Sequence, residues 1–133
     1  MDKGSRPIPL FLSPVSCGFP SPAQDYIEST LDLNELLISK PAATFFVRAR
    51  GDSMIEAGIF DGDLLIIDRS ITARHGHVVL AAVYGEFTLK RYVVQRSGAV
   101  ELIPENPKYK PIPIGPATEF QIWGVATHCV HRL

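Results

Sequence analysis

The chain has 133 residues, a length that corresponds to one domain of ordinary size. Apolar residues make up 46% of it and charged residues only 20%, a balance that indicates a packed core and excludes a wholly disordered protein. A formal net charge of −1 offers no basic surface for nucleic acid or an anionic membrane, so we expect no direct specific DNA binding.

Cysteine usage and hydropathy predict a cytoplasmic protein. The two cysteines, Cys17 and Cys129, cannot form a disulfide framework, and this suits a reducing compartment. No apolar run approaches the roughly 18 residues needed to cross a bilayer. Residues 8–12 are mostly apolar, but the stretch is too short and too interrupted by proline for a secretory signal. We therefore expect no membrane partner.

Residues 1–40 are predicted to form an N-terminal arm. Six of the eleven prolines lie within the first 41 positions, and proline favours extended backbone in its neighbour, so residues 1–25 are predicted to be extended. Residues 32–38 predict a short helical turn with Asp32 as its cap, because leucines recur there at helical spacing.

Within the arm, the peptide bond between Cys17 and Gly18 has little side-chain bulk beside its carbonyl group. A protease binds its substrate in extended form, and this bond would suit such binding. A disordered tail is the simpler interpretation of these residues taken alone.

Residues 41–133 are predicted to form a β-rich domain. Residues 54–59 predict a short helix or turn, and the proline-containing residues 109–116 predict a loop or an edge segment. Short strands with turns this frequent predict a mainly β fold, either a compact curved β-domain or a small barrel. The strands are predicted at residues 45–50, 64–68, 77–83, 87–95, 99–104 and 120–131.

Ser53 and Lys90 are the residues on which a catalytic interpretation depends. Ser53 follows Gly51 and Asp52, between a predicted strand and a predicted helical turn, and this placement presents a hydroxyl group beside backbone N–H groups. Lys90 lies 37 positions later in a second β-like run. A neutral lysine can take the proton of a serine, and burial lowers the pKa of a lysine from its reference value of about 10.4. These residues predict a Ser–Lys hydrolytic dyad.

Other interpretations of the same two residues are open. A Gly-Asp-Ser sequence is common in loops, and a lysine on a strand is most often solvated. Alternation along residues 87–94 gives two faces of mixed polarity. The pattern therefore does not say whether Lys90 points inward, as a base must, or outward.

The remaining carboxylate and thiol candidates fit structural roles better than chemical ones. Asp52, Asp61 and Asp63 lie in predicted turns, where aspartate commonly bonds the backbone. Cys129 lies near the end of a predicted strand in apolar company, so we expect a buried and inert thiol.

The spacing of the histidines gives only a weak signal for a metal site. His75 and His77 have no cysteine or carboxylate at ligand spacing and predict a turn before a strand instead. His128 and His131 are in the same position near the C-terminus. We expect no metal and no cofactor.

Five segments of the chain become specific when they are taken together and in order: residues 17–22 (CGFPSP), 32–38 (DLNELLI), 51–55 (GDSMI), 61–66 (DGDLLI) and 85–90 (GEFTLK). In these segments the chain resembles the UmuD family, the SOS-mutagenesis relatives of the self-cleaving LexA repressors. The segments span nearly the whole chain, and residues 1–14 and 91–100 are the parts least alike.

The resemblance implies a fold of the LexA and signal-peptidase type with an extended N-terminal arm. It implies that the arm, residues 1–40, carries the self-cleavage site at Cys17 and Gly18. Residues 41–133 would then be a Ser–Lys peptidase and dimerisation domain.

The same resemblance assigns roles at the site. It implies that Ser53 is the nucleophile and Lys90 the general base of a serine endopeptidase. The backbone N–H groups of Asp52 and Ser53 are our candidates for holding the oxyanion.

The resemblance also implies partners. The cleaved form is expected to be a homodimer that joins a UmuC-type Y-family subunit, an error-prone translesion DNA polymerase. A RecA filament on single-stranded DNA is the implied trigger of cleavage and acts as a coprotease.

Three rival classes share some of these features. A LexA-like repressor would need a DNA-binding domain before the cleavage site, and the 17 residues there are too few for a helix-turn-helix unit. A signal peptidase would need a membrane anchor. The third class, a non-catalytic polymerase-binding module, stays an alternative, because the role of the mature protein would be to bind the polymerase.

Overall fold

The computed structural model describes residues 8–11, 15, 17–18 and 27–133. The chain divides into two compact units, Met1–Ser39 and Lys40–Leu133. Most of the predicted extended arm, residues 1–25, lies outside the described residues. Within the part of the chain that is described, no helix is long and apolar enough to cross a membrane.

In its described residues, the first unit contains a two-stranded antiparallel sheet and one short helix. β1 (Ile8–Phe11) pairs with β2 (Ile27–Leu31), and α1 (Leu33–Leu37) follows. The Asp32 carboxylate accepts a hydrogen bond from Asn34 N at 2.9 Å and caps the helix, so the predicted helical turn is confirmed. Strand periodicity alone does not reveal a partner strand, and the pairing of β1 with β2 is an addition to the prediction.

The second unit is built on one seven-stranded antiparallel sheet, and the predicted mainly β fold is confirmed. Two short 3₁₀ helices occupy Pro41–Ala43 and Ile55–Ala57. The strands are β3 (Thr44–Arg48), β4 (Leu64–Asp68), β5 (Val78–Val83), β6 (Glu86–Val94), β7 (Val100–Ile103), β8 (Ile112–Ile114) and β9 (Phe120–Val130). Their order in the sheet is β3-β4-β9-β5-β6-β7-β8, so β3 and β8 are its edges.

Local sequence explains several of these elements. β4 is a continuous apolar run whose last four residues are all buried, as expected for a strand covered on both faces. β5 and β6 form the predicted hairpin, and both residues of its turn, Tyr84 (φ 48°) and Gly85 (φ 79°), have the positive φ of a type I′ turn. β8 lies at an edge, where the missing N–H of Pro113 is tolerated.

Two hydrophobic clusters lie on opposite sides of β5. Leu80 belongs to one of them, whereas its neighbours Val79 and Ala81 belong to the other, because side chains alternate along a strand. Met54, which directly follows Ser53, is only 3% exposed and packs in the cluster of Leu80. The core therefore anchors the turn that carries the predicted nucleophile.

β9 is the longest strand and lies between β4 and β5, with a register shift against each. At Gly124 its backbone comes so close to β4 that a Cβ atom would lie 2.5 Å from Ile67 Cγ2 and 3.1 Å from Asp68 O. Ile67 is fully buried, so its side chain has no room to move aside. Close approach of the two strands therefore requires glycine at this position.

Replacing Gly124 by alanine is expected to lower the free energy of unfolding by about 1–3 kcal/mol, because the added methyl group overfills a packed core. Gly115→Ala is the matched control, since a Cβ atom there would meet Thr118 Oγ1 at an ordinary 3.9 Å. Urea denaturation of both variants and the wild type measures the difference. Equal stability of the two variants would contradict the packing argument.

Candidate active site

The turn that carries Ser53 is fixed by its backbone. After β3 the chain passes through Gly51, whose φ of 86° lies in the left-handed region that favours glycine. Gly51 N donates a hydrogen bond to Asp61 Oδ1 at 2.7 Å. The turn then leads into the 3₁₀ helix at Ile55–Ala57, with Met54 in the core. Ser53 is thus held between a fixed turn and a buried anchor.

Lys90 points inward. Its side chain is buried, with the residue 8% exposed, and its partner across the β5–β6 ladder is the fully buried Val79. Lys90 Nζ lies 3.2 Å from Ser53 Oγ, within hydrogen-bond distance. The fold therefore brings together the two residues that the sequence singled out 37 positions apart.

The surroundings of Lys90 Nζ favour the neutral amine. Burial lowers the pKa of Lys90 from its ordinary value of 10.5, because a charged ammonium group loses hydration there. Neither of the ion pairs found among the described residues involves Lys90. No carboxylate within the described ranges therefore offsets the loss of hydration.

Three oxygen atoms surround Lys90 Nζ. Besides Ser53 Oγ, it donates to Thr88 Oγ1 at 2.6 Å and to Leu89 O at 3.1 Å. A neutral amine has two hydrogens and one lone pair. If the hydrogens are donated to Thr88 and Leu89, the lone pair faces the Ser53 hydroxyl group and can accept its proton.

Ser53 and Lys90 line a cavity of about 530 Å³. One wall is formed by the edge strand β3 and the residues that follow it. An edge strand has unpaired backbone groups, which can pair with an extended peptide. Much of the lining is apolar and is contributed by Phe45, Val47, Ile59, Leu80 and Trp123.

A loop distant in sequence supports the turn from the other side. Glu105 N donates to Ser53 O at 2.8 Å, and Asn106 Nδ2 donates to Asp52 O at 2.9 Å. The Tyr109 hydroxyl group donates to Asp52 Oδ1. This bond lowers the pKa of Asp52 and raises the pKa of Tyr109, because it stabilises the carboxylate and the protonated phenol together.

The predicted oxyanion donors lie in the same turn. Among the described residues, the backbone N–H groups of Asp52 and Ser53 donate to no backbone carbonyl group. Their carbonyl groups, in contrast, are both held by the loop at residues 105–109. The Asp52 carbonyl group belongs to the peptide unit that carries the Ser53 N–H group, so this peptide unit is fixed through its carbonyl oxygen.

Sequence reasoning missed three residues that shape this site, namely Thr88, Asn106 and Tyr109. A signal for Thr88 exists, since it lies two positions before Lys90 and hence on the same side of β6. Asn106 and Tyr109 meet Asp52 across 54 and 57 positions, and no sequence spacing indicates such a contact.

Comparison with known proteins identifies the family of this site. Residues 9–127 match the family described as Peptidase S24-like. The chain belongs to the Peptidase S24-like family. Its members are self-cleaving serine peptidases.

Individual relatives give the finer relationship. Protein SamA of Salmonella typhimurium strain LT2 is 48% identical over 124 residues, which are 93% of this chain and 85% of SamA. Protein ImpA of Salmonella typhimurium is 46% identical over 124 residues, 93% of this chain and 83% of ImpA. The LexA repressor of Bordetella avium is 38% identical over 123 residues, 88% of this chain and 56% of the repressor. SamA and ImpA are UmuD-family proteins, so the predicted resemblance is confirmed, and this S24 peptidase is a UmuD-like protein of SOS mutagenesis.

Several other polar residues of this S24 peptidase have the structural roles predicted for them. Asp61 bonds the backbone of Gly51, and Asp63 Oδ2 accepts from Phe60 N at 2.8 Å. His75 and His77 lie in the turn before β5. Their Nδ1 atoms accept hydrogen bonds from Val94 N at 2.9 Å and Arg74 N at 3.0 Å, respectively.

The burial expected for Cys129 is wrong, because the residue is exposed. Cys129 Sγ donates to Asp63 Oδ2 at 3.3 Å, and His131 Nδ1 lies 2.7 Å from Asp63 Oδ1. Partial desolvation and the neighbouring carboxylate raise the pKa of Cys129 to about 11. The thiol is therefore protonated near neutral pH. It is a poor nucleophile because partial desolvation and the Asp63 carboxylate both disfavour the thiolate.

Replacing Lys90 by methionine is expected to raise the free energy of unfolding at neutral pH, because it removes a buried ammonium group. The pKa of Lys90 is lower in the folded protein than in the unfolded chain, so the unfolded chain binds more protons between the two pKa values. Wild-type stability consequently rises with pH through that interval. The advantage of Lys90→Met should shrink as the pH approaches 10.5.

Urea denaturation at several pH values between about 7 and 10.5 measures this difference. Both chains carry Ser53→Ala, so that neither can cleave itself at high pH, and they differ only by Lys90→Met. Lys110→Met in the same background, at an exposed lysine, is the matched control for the loss of a lysine side chain. A stability difference at Lys90→Met that is the same at every pH would contradict a lowered pKa at Lys90.

Proposed function

We propose that this UmuD-like chain is a Ser–Lys endopeptidase that cleaves its own bond between Cys17 and Gly18. The observation that carries the proposal is the 3.2 Å distance between Ser53 Oγ and Nζ of a buried Lys90. A serine needs a base to become a nucleophile, and a desolvated lysine is one of few side chains that can supply it near neutral pH.

In the first chemical step, neutral Lys90 takes the proton of Ser53 Oγ while this oxygen attacks the carbonyl carbon of Cys17. The backbone N–H groups of Asp52 and Ser53 hold the negative oxygen of the tetrahedral intermediate. The Lys90 ammonium group then gives its proton to the nitrogen of Gly18, and the bond between Cys17 and Gly18 breaks. Residues 1–17 remain as an ester on Ser53.

In the second step, a water molecule attacks the ester carbon and Lys90 takes its proton. The proton returns to Ser53 Oγ as the ester bond breaks, which frees residues 1–17 and restores the enzyme. The net reaction consumes one water molecule and breaks one peptide bond. It needs no metal and no cofactor.

The edge strand β3 supports this choice of substrate. An extended peptide that pairs with β3 would run along the cavity past Ser53. Residues 1–25 are predicted from their prolines to be extended, as such pairing requires. Tethering supplies the arm at a high effective concentration, either to its own domain or to a partner protomer. A RecA filament would promote cleavage by binding the cleavage-competent state more tightly.

The proposed mature form is a cytoplasmic homodimer of residues 18–133. Residues 41–133 are proposed to carry the dimer interface, and the dimer to act as the accessory subunit of a UmuC-type translesion polymerase. The relationship to the UmuD-like proteins of SOS mutagenesis supports this role. Removal of residues 1–17 would be the switch between the two forms.

Incubation of the purified chain at about pH 10 is expected to yield a fragment that begins at Gly18, because alkaline pH deprotonates Lys90 without help from a filament. Ser53→Ala and Lys90→Ala are expected to lower the cleavage rate by more than about 10³-fold, since each removes one member of a pair that acts as a unit. Intact-mass spectrometry measures both the fragment and its rate of formation.

Ser97→Ala and Lys110→Ala, at exposed positions outside the cavity, are the matched controls and should cleave like the wild type. Continued cleavage in Ser53→Ala would assign the nucleophile to another residue. A wild-type chain that stays intact at every pH, with and without a RecA filament, would overturn the peptidase role and leave a binding module.

A further inference from the structure

The position of Asp52 is unfavourable for the proposed mechanism, because a carboxylate near Lys90 would stabilise its protonated form. It directly precedes Ser53, and of the described residues that line the cavity it is the only carboxylate. An anion within about 4–6 Å of an ammonium group stabilises the charged form. A carboxylate paired with Lys90 would therefore keep the lysine protonated and unable to accept the Ser53 proton.

The structure holds the Asp52 carboxylate elsewhere. Its Oδ1 accepts a hydrogen bond from the Tyr109 hydroxyl group, and its carbonyl oxygen accepts from Asn106 Nδ2 at 2.9 Å. Asn106 is itself buried and also accepts from Lys108 N at 3.0 Å. The loop thus binds both the backbone and the side chain of Asp52.

We propose that Tyr109 is a positioning residue that keeps the Asp52 carboxylate away from Lys90 Nζ, so that Lys90 can act as a base. This inference rests on the proposed peptidase function and adds a residue to it. Tyr109 touches neither reacting atom, and it acts through Asp52. Tyr109 is 45% exposed, so its hydroxyl group can be removed without opening the core.

The other charged groups around the cavity do not compete for Lys90. Arg48 and Arg50 line it from the end of β3, and both repel an ammonium group. Arg48 Nη1 also donates a hydrogen bond to Gly62 O at 2.9 Å. Lys108 attracts the Asp52 carboxylate from the side of the loop, and this reinforces the position set by Tyr109. Asp52 is thus the anion whose position decides the charge of Lys90.

The test is the pH dependence of covalent labelling of Ser53 by a small fluorophosphonate, followed by intact mass on the full chain. Labelling needs the base but not the arm, and its rate rises as Lys90 loses its proton. In Tyr109→Phe the midpoint of this profile is expected to move up by about one pH unit, because the freed Asp52 carboxylate pairs with Lys90. Below the midpoint the rate is then about tenfold lower than in the wild type.

A second substitution, at Asp52, distinguishes a positioning role of Tyr109 from a general loss of structure in Tyr109→Phe. Asp52→Asn keeps the size and shape of the side chain but removes its charge. The double variant Tyr109→Phe, Asp52→Asn is expected to return to the wild-type midpoint, whatever its plateau rate. Tyr84→Phe, at an exposed tyrosine in the hairpin turn, is the matched control and should leave the profile unchanged.

Each outcome bears on a different claim. A Tyr109→Phe profile that is lower at every pH with an unchanged midpoint overturns the inference while leaving the peptidase function intact. A raised midpoint that Asp52→Asn does not reverse also overturns it, because the cause is then not the carboxylate. A wild-type chain that is not labelled at Ser53 at any pH overturns the proposed function and the inference with it.

Discussion

A buried ammonium group without a carboxylate partner is costly, and proteins normally avoid it by pairing the charge or exposing it. Among the residues that the structure describes, Lys90 has no carboxylate partner and is buried, and its nitrogen lies within hydrogen-bond distance of oxygen atoms of Ser53, Thr88 and Leu89. Loss of the proton relieves the cost. The same burial that weakens the folded state thus favours the neutral amine, which is the form that the proposed base needs.

Such a base is useful only if the serine stays within reach, and the fold fixes Ser53 from three directions. Gly51 is tied to Asp61, Met54 is packed in the core, and the backbone of Ser53 is bonded to Glu105. Groups that react must be held to a fraction of an ångström, and short hydrogen-bonded turns achieve this better than free loops. Arg91 Nε, 2.9 Å from Glu105 Oε1, links the supporting loop to the strand of Lys90.

The proposed base and nucleophile, Lys90 and Ser53, already lie within hydrogen-bond distance of each other, so no rearrangement is needed to bring them together. Under the proposed function, control must then lie in the substrate, meaning in how often the bond after Cys17 reaches the cavity beside β3. This fits a protease whose substrate is its own chain and which must act once. Under this proposal the dyad is assembled in advance, whereas the cleavage site reaches the cavity only rarely. A filament that binds the cleavage-competent state more tightly would raise the population of that state and so turn cleavage on.

The sequence by itself determined much of the fold, because the signals for it are local. The run at residues 64–68 specified a buried strand, Gly85 specified the hairpin turn, and Asp32 specified a helix cap. It also singled out Ser53 and Lys90 from residue chemistry, with the UmuD resemblance beside it. These features depend on neighbours a few positions apart, which a sequence displays directly.

Only the tertiary structure decided which way Lys90 points and what surrounds it. Alternation along β6 left two mixed faces, and the register of β6 against β5 is what places Lys90 opposite the fully buried Val79. The contacts of Asp52 with Asn106 and Tyr109 span more than fifty positions, and Gly124 is explained only by its closeness to Ile67. Such contacts depend on the order and register of the strands in the sheet, so they cannot be predicted from the properties of any single segment.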